Sequence, residues 1–213
     1  YTGMEVRRIL EERFQVPVAV ENDVNAAALG EGQFGAGQGT EDFLCLTYGT
    51  GVGGAIVAGG KVCTGSSWSA GSVGGIVIHP EEIDLNVEFS GCYEKCASAT
   101  ALVKRASAVD PQLGSGRAVF AAFDRPEVRQ VVDGWIGEIV YGLITLVHIF
   151  NPSRIVLGGG VMAQPYVLEQ VRERLAAGIS PGFRGVEIVT AKLGNQAGMM
   201  GAAYQAAERL KEG

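Results

Sequence analysis

The fold of this chain is decided in residues 42–65, DFLCLTYGTGVGGAIVAGGKVCTG. Two apolar segments are joined there by glycines, and AGGK at 58–61 supplies the next turn. Apolar runs separated by a short glycine-rich turn predict a β-hairpin. Gly49, Thr50 and Gly51 lie in the turn, where glycine lets backbone N–H groups approach an anion without interference from a Cβ atom.

This turn allows two interpretations. It is neither a Walker A loop nor a complete dinucleotide-binding fingerprint, because no helical pattern follows it. The glycines could serve only a tight hairpin turn. Their density, with Thr47 and Thr50 interleaved, favours a phosphate-binding loop.

The segments around the hairpin alternate between strand and helix patterns. Segments in which polar and apolar residues recur every 3.6 residues predict helices, and short apolar runs predict strands. Such strands and helices in alternation indicate an α/β fold. The predicted strands are 16–21, 71–79, 152–158 and 186–194, and the predicted helices are 3–14, 24–34, 97–109, 124–150, 164–179 and 197–213.

The composition excludes several classes of protein. The 213 residues include 47% hydrophobic and 19% charged residues, with a formal net charge of −6. An acidic chain without a basic cluster is not expected to contact nucleic acid. No run of 18 apolar residues and no leader pattern occurs, so we expect neither a membrane span nor secretion. Four cysteines do not require disulfides, and we expect reduced thiols and a cytoplasmic location.

A carboxylate ends the short predicted strand at 16–21. Asp23 lies at the carboxyl end of that strand and before an alanine-rich helical segment. Ligands of open α/β sheets bind at this edge, and a carboxylate there can accept the proton of a substrate hydroxyl that Asn22 orients. Asn and Asp are also the preferred N-cap residues of helices. The spacing alone favours capping over catalysis.

A second glycine-rich segment is IVLGGGVM at 155–162. A buried strand that delivers Gly158, Gly159 and Gly160 to the start of a helix is a common place for a nucleotide to lie against backbone. A close crossing of helix and strand explains the same glycines equally well.

Five segments of the sequence carry a joint pattern. They are VPVAVENDVNAAALGE, GAGQGTEDFLCLTYGTGVGGAIVAGGKVCTG, GCYEKCASATAL, NPSRIVLGGGVM and LGNQAGMMGAAYQAA. Taken together, these segments resemble the ROK family of bacterial sugar kinases and repressors. The resemblance implies an actin-like ATPase (ribonuclease H-like) fold, with ATP and sugar in a cleft between two α/β lobes. It divides the chain into 1–38 of the first lobe, a complete second lobe at 39–195, and a C-terminal helix at 196–213 that returns to the first lobe.

The family's site residues transfer to individual positions of this sequence. The resemblance implies transfer of the γ-phosphoryl group of ATP to a hexose hydroxyl, with Mg²⁺ on the phosphates. Asp23 corresponds to the catalytic base, and Asn22 and Glu94 correspond to contacts with the sugar. The remaining positions bind ATP: Gly49, Thr50 and Gly51 on the phosphates, and Gly158, Gly159 and Gly160 on the adenosine side. The alternative for Glu94 is a solvated charge at a helix start.

The sequence departs from the family at the sugar and zinc positions. In GSVGG at 71–75, Ser72 replaces a sugar-binding Glu and is the candidate sugar contact at that position, and Gly75 replaces a His that also ligates zinc. Leu85 and Val87 replace two zinc cysteines, so that Cys92 remains alone. Since structural zinc needs about four ligands, no structural zinc is expected. His79 lies four residues after the expected histidine and is not assigned as a ligand.

The sequence contains no DxGGT phosphate loop, and it begins at Tyr1. We therefore expect an N-terminally truncated kinase, nearly inactive as this chain. Two alternatives stay open: the sugar-sensing portion of a ROK repressor, and a pseudokinase that only binds. Homodimerisation is expected by analogy with the family.

Overall fold

The computed structural model describes residues 3–211. Within that range the helices are α1 (Val6–Phe14), α2 (Asp23–Phe34), α3 (Tyr93–Ala97), α4 (Ala99–Val109), α5 (Gly116–Ala121), α6 (Pro126–Phe150), α7 (Pro165–Gly178) and α8 (Ala197–Lys211). The strands are β1 (Phe43–Tyr48), β2 (Val52–Ala58), β3 (Lys61–Val62), β4 (Arg154–Gly158) and β5 (Glu187–Thr190).

One mixed sheet of five strands organises the chain, in the order β3-β2-β1-β4-β5. The predicted hairpin is confirmed, because β1 pairs antiparallel with β2 and β2 with β3. β1 also pairs in parallel with β4, and β4 with β5. Parallel pairs need long crossover connections, which the helices between the strands supply. The carboxyl ends of β1 and β4 therefore meet at one edge of the sheet.

Helices cover both faces of the sheet. Successive residues of a strand point to opposite faces. Leu44 and Leu46 join a large core on the face that packs against α6 and α7, and Phe43 and Cys45 join a smaller core on the face that α2 covers. Burial on both faces explains why β1 is a nearly continuous apolar run in the sequence.

The long helix α6 is the centre of the larger core. Of the described residues, only this helix is long and apolar enough to cross a membrane. However, half of the residues in its most apolar 18-residue stretch are buried inside the protein. The buried residues of the helix include Trp135, Ile139 and Leu143. Its apolar character is thus the burial pattern of a core helix.

α2 and α8 cross at glycines. A Cβ atom at Gly201 would overlap the carbonyl oxygen of Ala26, and one at Gly30 would overlap that of Ala197. The two backbones are in contact, since no side chain separates them at this point. The carboxylate of the buried Glu31 joins the same region by accepting the amides of Ala36, Lys192 and Leu193 at 2.7, 3.1 and 2.8 Å.

Two local predictions are wrong. The segment 16–21 belongs to no strand of the described sheet. The predicted strand 71–79 is a 3₁₀ turn at Val73–Gly75, followed by an isolated bridge between Val77 and Cys92. The predicted helix 164–179 is confirmed as α7, and a 3₁₀ turn at Gly160–Ala163 separates it from β4. The last two residues of the predicted helix 197–213 lie outside the described range.

Candidate functional site

A cleft of about 490 Å³ opens at the edge of the sheet where β1 ends. The start of α2, the turn between β1 and β2, the segment from Trp68 to Gly75, and Glu94 form its walls. Asn22, Asp23, Gly49, Thr50, Gly51, Ser72 and Glu94 all line this cleft. The structure therefore brings together seven of the ten site residues that the sequence predicts.

Asn22 and Asp23 form the start of α2. Asn22 is the N-cap, and its Oδ1 accepts the amides of Val24 and Asn25 at 2.9 and 3.2 Å. The capping interpretation is thus correct for this oxygen, while the Nδ2 group of Asn22 remains available as a donor. Asp23 is exposed, and its Oδ1 accepts the Val24 amide at 2.9 Å. Among residues 3–211, its Oδ2 makes no hydrogen bond.

The hairpin turn presents polar backbone to the cleft. The amide of Gly49 donates to the carbonyl of Gly51 at 3.0 Å, which leaves Thr50 exposed at the tip. No atom lies within 4 Å of the place where Gly49 would carry a Cβ. The space beside this turn is open to a ligand group.

Glu94 closes the base of the cleft. It stands in the first turn of α3 and is partly buried. Its Oε2 accepts the amide of Val52 at 3.1 Å. A Cβ atom at Gly51 would overlap this carboxylate. Glu94 is therefore a positioned wall residue of the cleft, and not only a solvated charge at a helix start.

The opposite wall differs from what the family resemblance implies. Ser72 is exposed, and its hydroxyl donates to the carbonyl of Ser69 at 2.8 Å. The ring of Phe89 lies 3.3 Å from the place of a Cβ on Gly75. Phe89 and the exposed Trp68 line the cleft. Neither aromatic residue was predicted from the sequence as part of the site. An aromatic residue in a polar, glycine-rich loop is nevertheless a detectable sign of a binding surface.

The triple glycine lies beside the cleft but outside its lining. Gly158 pairs with Thr47, and Gly159 has φ 110° and passes against the backbone of Tyr48. Gly160 lines a second cavity of about 430 Å³, together with Arg117 and Phe120 of α5. Arg117 and Phe120 were not predicted as part of a site, because no local pattern distinguishes them from other helix residues.

The charged side chains that line the main cleft are all acidic. Its lining contains two carboxylates, Asp23 and Glu94, and among the described residues no Lys, Arg or His. The amides of Gly49 and Val52 already donate within the protein, so the amides of Thr50 and Gly51 are the available partners for a phosphate. An anion bound there would need a cation beside it, and carboxylate oxygens are ligands that Mg²⁺ accepts.

Comparisons with known proteins agree on one family. A model of the ROK family matches residues 2–209. The glucokinase of Halalkalibacterium halodurans is 36% identical over 92% of this chain and 65% of its own length. The crystal structure of a ROK hexokinase from Thermus thermophilus is 35% identical, with a TM-score of 0.88 over 98% of this chain and 71% of that chain. A ROK family glucokinase from Streptomyces griseus, in complex with glucose and AMPPNP, is 33% identical, with a TM-score of 0.82 over 95% and 72%.

These similarities confirm the α/β, actin-like ATPase fold that the resemblance implies. They extend over the hairpin, the cleft and the triple glycine, since the matched region spans nearly the whole chain. Conversely, the chain spans 65% to 72% of the length of these three proteins. The chain belongs to the ROK family.

Proposed function

We propose that this chain carries the sugar- and phosphate-binding cleft of an ATP-dependent kinase for a hexose or an N-acetylhexosamine. The observation that supports it is the meeting of Asn22, Asp23, Glu94 and the hairpin turn in one cleft. Such a cleft combines an acceptor for a hydroxyl proton, donors and acceptors for a sugar, and backbone amides for phosphates. The kinases among its relatives make this the favoured activity of a cleft so equipped.

Asp23 is the proposed general base. A sugar hydroxyl hydrogen-bonded to Oδ2 gives its proton to the carboxylate as the hydroxyl oxygen forms a bond to the γ-phosphorus of ATP. The bond between that phosphorus and the β–γ bridging oxygen breaks, and ADP leaves. The Val24 amide, which also donates to Asn22, donates to Oδ1 of Asp23 and leaves Oδ2 for the sugar hydroxyl.

The sugar is proposed to lie between Asn22 and Glu94. The Nδ2 group of Asn22 donates to one hydroxyl, and the free Oε1 of Glu94 accepts from another. Ser72 adds a third polar contact from the facing loop. Phe89 and Trp68 offer flat apolar surfaces, which suit the C–H faces of a pyranose ring.

ATP is proposed to span the two cavities. Gly49, Thr50 and Gly51 contact its phosphates, with Mg²⁺ supplying the positive charge that the lining lacks. Gly158, Gly159 and Gly160 form the turn beside adenosine. The cavity lined by Gly160, Arg117 and Phe120 is the proposed place for the base, because an aromatic ring and a guanidinium can both contact a purine face.

The wider organisation follows the family. We propose that 1–38 and 196–213 belong to the first lobe and 39–195 to the second, that the protein is cytoplasmic, and that it forms a homodimer. The contact of α8 with α2 supports the assignment of both segments to one lobe. The chain by itself is expected to be nearly inactive, because its sequence supplies only one of the two phosphate loops of the family.

Calorimetric titration of the 213-residue chain tests the proposal. Glucose, N-acetylglucosamine and N-acetylmannosamine are titrated with and without AMPPNP and Mg²⁺. We expect one of these sugars to bind. Glu94→Gln should weaken its affinity at least tenfold, and Asp23→Asn should leave its affinity within about threefold of the wild type. Mass spectrometry at high enzyme concentration should detect a trace of sugar phosphate from the wild type and none from Asp23→Asn. Absence of sugar binding, or unchanged binding in Glu94→Gln, contradicts the proposal.

The second candidate is a sugar sensor of the repressor type. This function is favoured by the replacement of two family residues that usually contact sugar by Ser72 and Gly75. A protein that only recognises a sugar needs fewer contacts with it than a protein that also positions it for phosphoryl transfer. The same experiment separates the two functions. A sensor binds sugar independently of AMPPNP and yields no sugar phosphate at any enzyme concentration.

A further inference from the structure

Three side chains from separate parts of the chain meet where the loop that carries Phe89 adjoins α3 and α6. His79 precedes the 3₁₀ turn Pro80–Glu82, Cys96 lies in α3, and Glu138 lies in the middle of α6. One potential ligand atom of each lies within 4.8 Å of the others. Cys96 is buried, and the other two side chains are mostly buried.

The donor set is that of a transition-metal site. Imidazole nitrogen, thiolate sulfur and carboxylate oxygen all bind Zn²⁺, and a site with three protein ligands keeps a fourth position for water or another group. These residues are not those of the family's zinc segment, which correspond to Leu85, Val87 and Cys92 here. Leu85 and Val87 are apolar and exposed, so they can supply no ligand.

The outer atoms of two of the three residues are already held in place. Nδ1 of His79 lies 2.9 Å from Oε1 of Glu81, which directs Nε2 inward. Oε1 of Glu138 accepts a hydrogen bond from Arg105 at 2.9 Å, which directs Oε2 inward. The two inner atoms, His79 Nε2 and Glu138 Oε2, are 2.6 Å apart. Partners of this kind orient the ligands of metal sites and fix the tautomer of a ligating histidine.

An ion-pair network without metal is the competing explanation. It explains the contacts of His79 with Glu81 and Glu138 and that of Arg105 with Glu138. It gives no role to the thiol of Cys96, which is buried against the same atoms. Burial and Glu138 raise the pKa of this thiol to about 11, so that without a metal it would stay a neutral, unused group.

We propose that His79 Nε2, Cys96 Sγ and Glu138 Oε2 bind one Zn²⁺ ion. The ion joins the loop between Ile76 and Cys92 to α3 and α6. That loop carries Phe89, which lines the main cleft. The site therefore fastens one wall of the cleft to the core, whichever reaction the cleft performs.

Cobalt titration of the reduced, metal-free chain tests the proposal, because a cobalt–thiolate bond gives a charge-transfer absorption in the near ultraviolet. We expect saturation at one Co²⁺ per chain and displacement by Zn²⁺. Cys96→Ser should abolish the absorption, and His79→Gln and Glu138→Gln should each weaken metal binding at least tenfold. Cys63→Ser, a partly buried thiol outside the cluster, is the matched control and should titrate like the wild type.

A second readout covers the case in which a core variant fails to fold. Ligands that bind only the folded state raise Tm, so Zn²⁺ should raise the Tm of the wild type and of Cys63→Ser. It should leave the Tm of His79→Gln unchanged, and the partly exposed position of His79 makes this the variant chosen for the readout. An absent charge-transfer band, a band that survives in Cys96→Ser, or an equal Tm rise in His79→Gln overturns the proposal in favour of the ion-pair network.

Discussion

Oε2 of Glu94 accepts a hydrogen bond from the amide of Val52 at 3.1 Å, between residues 42 positions apart in the sequence. This bond joins the first turn of α3 to the start of β2. It holds the glutamate against the hairpin turn, where the proposed sugar and phosphate sites meet.

The first prediction concerns Gly51. Its replacement by alanine places a methyl group where the Glu94 carboxylate lies, so the side chain must move and the bond to Val52 is lost. Hydrogen bonds to charged groups contribute about 2 kcal/mol, and we expect Gly51→Ala to lower the free energy of unfolding by that amount in urea denaturation. Gly49→Ala is the control, since a Cβ there meets no atom within 4 Å. Equal destabilisation by both variants would contradict the role of Glu94.

The second prediction separates the two roles of Asn22. Asn22→Ala removes the N-cap of α2 and should cost about 1 kcal/mol of stability, whereas Asn22→Ser keeps a capping oxygen and should cost less than about 0.5 kcal/mol. Both variants lack the Nδ2 donor and should weaken sugar binding at least tenfold in calorimetry. Wild-type affinity in the stable Asn22→Ser variant would show that Asn22 is a helix cap alone.

The third prediction concerns the buried Glu31, which accepts three backbone amides. Glu31→Ala leaves these donors without a partner in the protein, and each such group costs about 1–3 kcal/mol. We expect a loss of about 4 kcal/mol, measured by thermal and urea unfolding. The exposed Glu169 supplies the control, and Glu169→Ala should change stability by less than about 0.5 kcal/mol. A loss below about 1 kcal/mol for Glu31→Ala would refute the anchoring role.

The fourth prediction concerns the crossing of α2 and α8. A methyl group at Gly201 would overlap the carbonyl of Ala26, and backbone cannot move aside as a side chain can. We expect Gly201→Ala to cost about 3 kcal/mol and, by displacing α2, to weaken ligand binding at Asp23.

Gly198→Ala is the matched control on the same helix. Its Cβ would lie 3.8 Å from the carbonyl oxygen of Asp23, an ordinary contact distance. Because alanine is a better helix former than glycine by up to about 1 kcal/mol, this variant should be as stable as the wild type or more so. A stabilising Gly201→Ala would mean that the helices do not touch at this glycine.

The sequence predicted the hairpin and the long helices well, because their evidence is local. β1 is a continuous apolar run between turn residues, and α6 repeats its apolar residues over seven helical turns. The prediction was wrong at segments whose structure depends on a neighbouring strand. The apolar segment 16–21 has strand character but no neighbouring strand in the described sheet, and 71–79 is held by loop contacts instead of a ladder.

The candidate site was predicted in part for the same reason. Asp23 and the hairpin glycines have patterns that can be recognised one at a time, and they do line one cleft. Trp68 and Phe89 enter that cleft through loops, whose paths no periodicity encodes. Asn22 shows the limit of spacing arguments, since it is an N-cap and still lines the cleft.

Residue type and local repetition were enough to identify the family, the hairpin, the long helices and the side chains that are chemically able to act. The folded structure alone shows which of these side chains meet. It placed Glu94 against the hairpin turn, put Gly160 in a different cavity from Gly51, and brought His79, Cys96 and Glu138 together from three separate elements. The physical reason is that such contacts depend on how helices pack across the sheet, which is set by the whole core and not by any single segment.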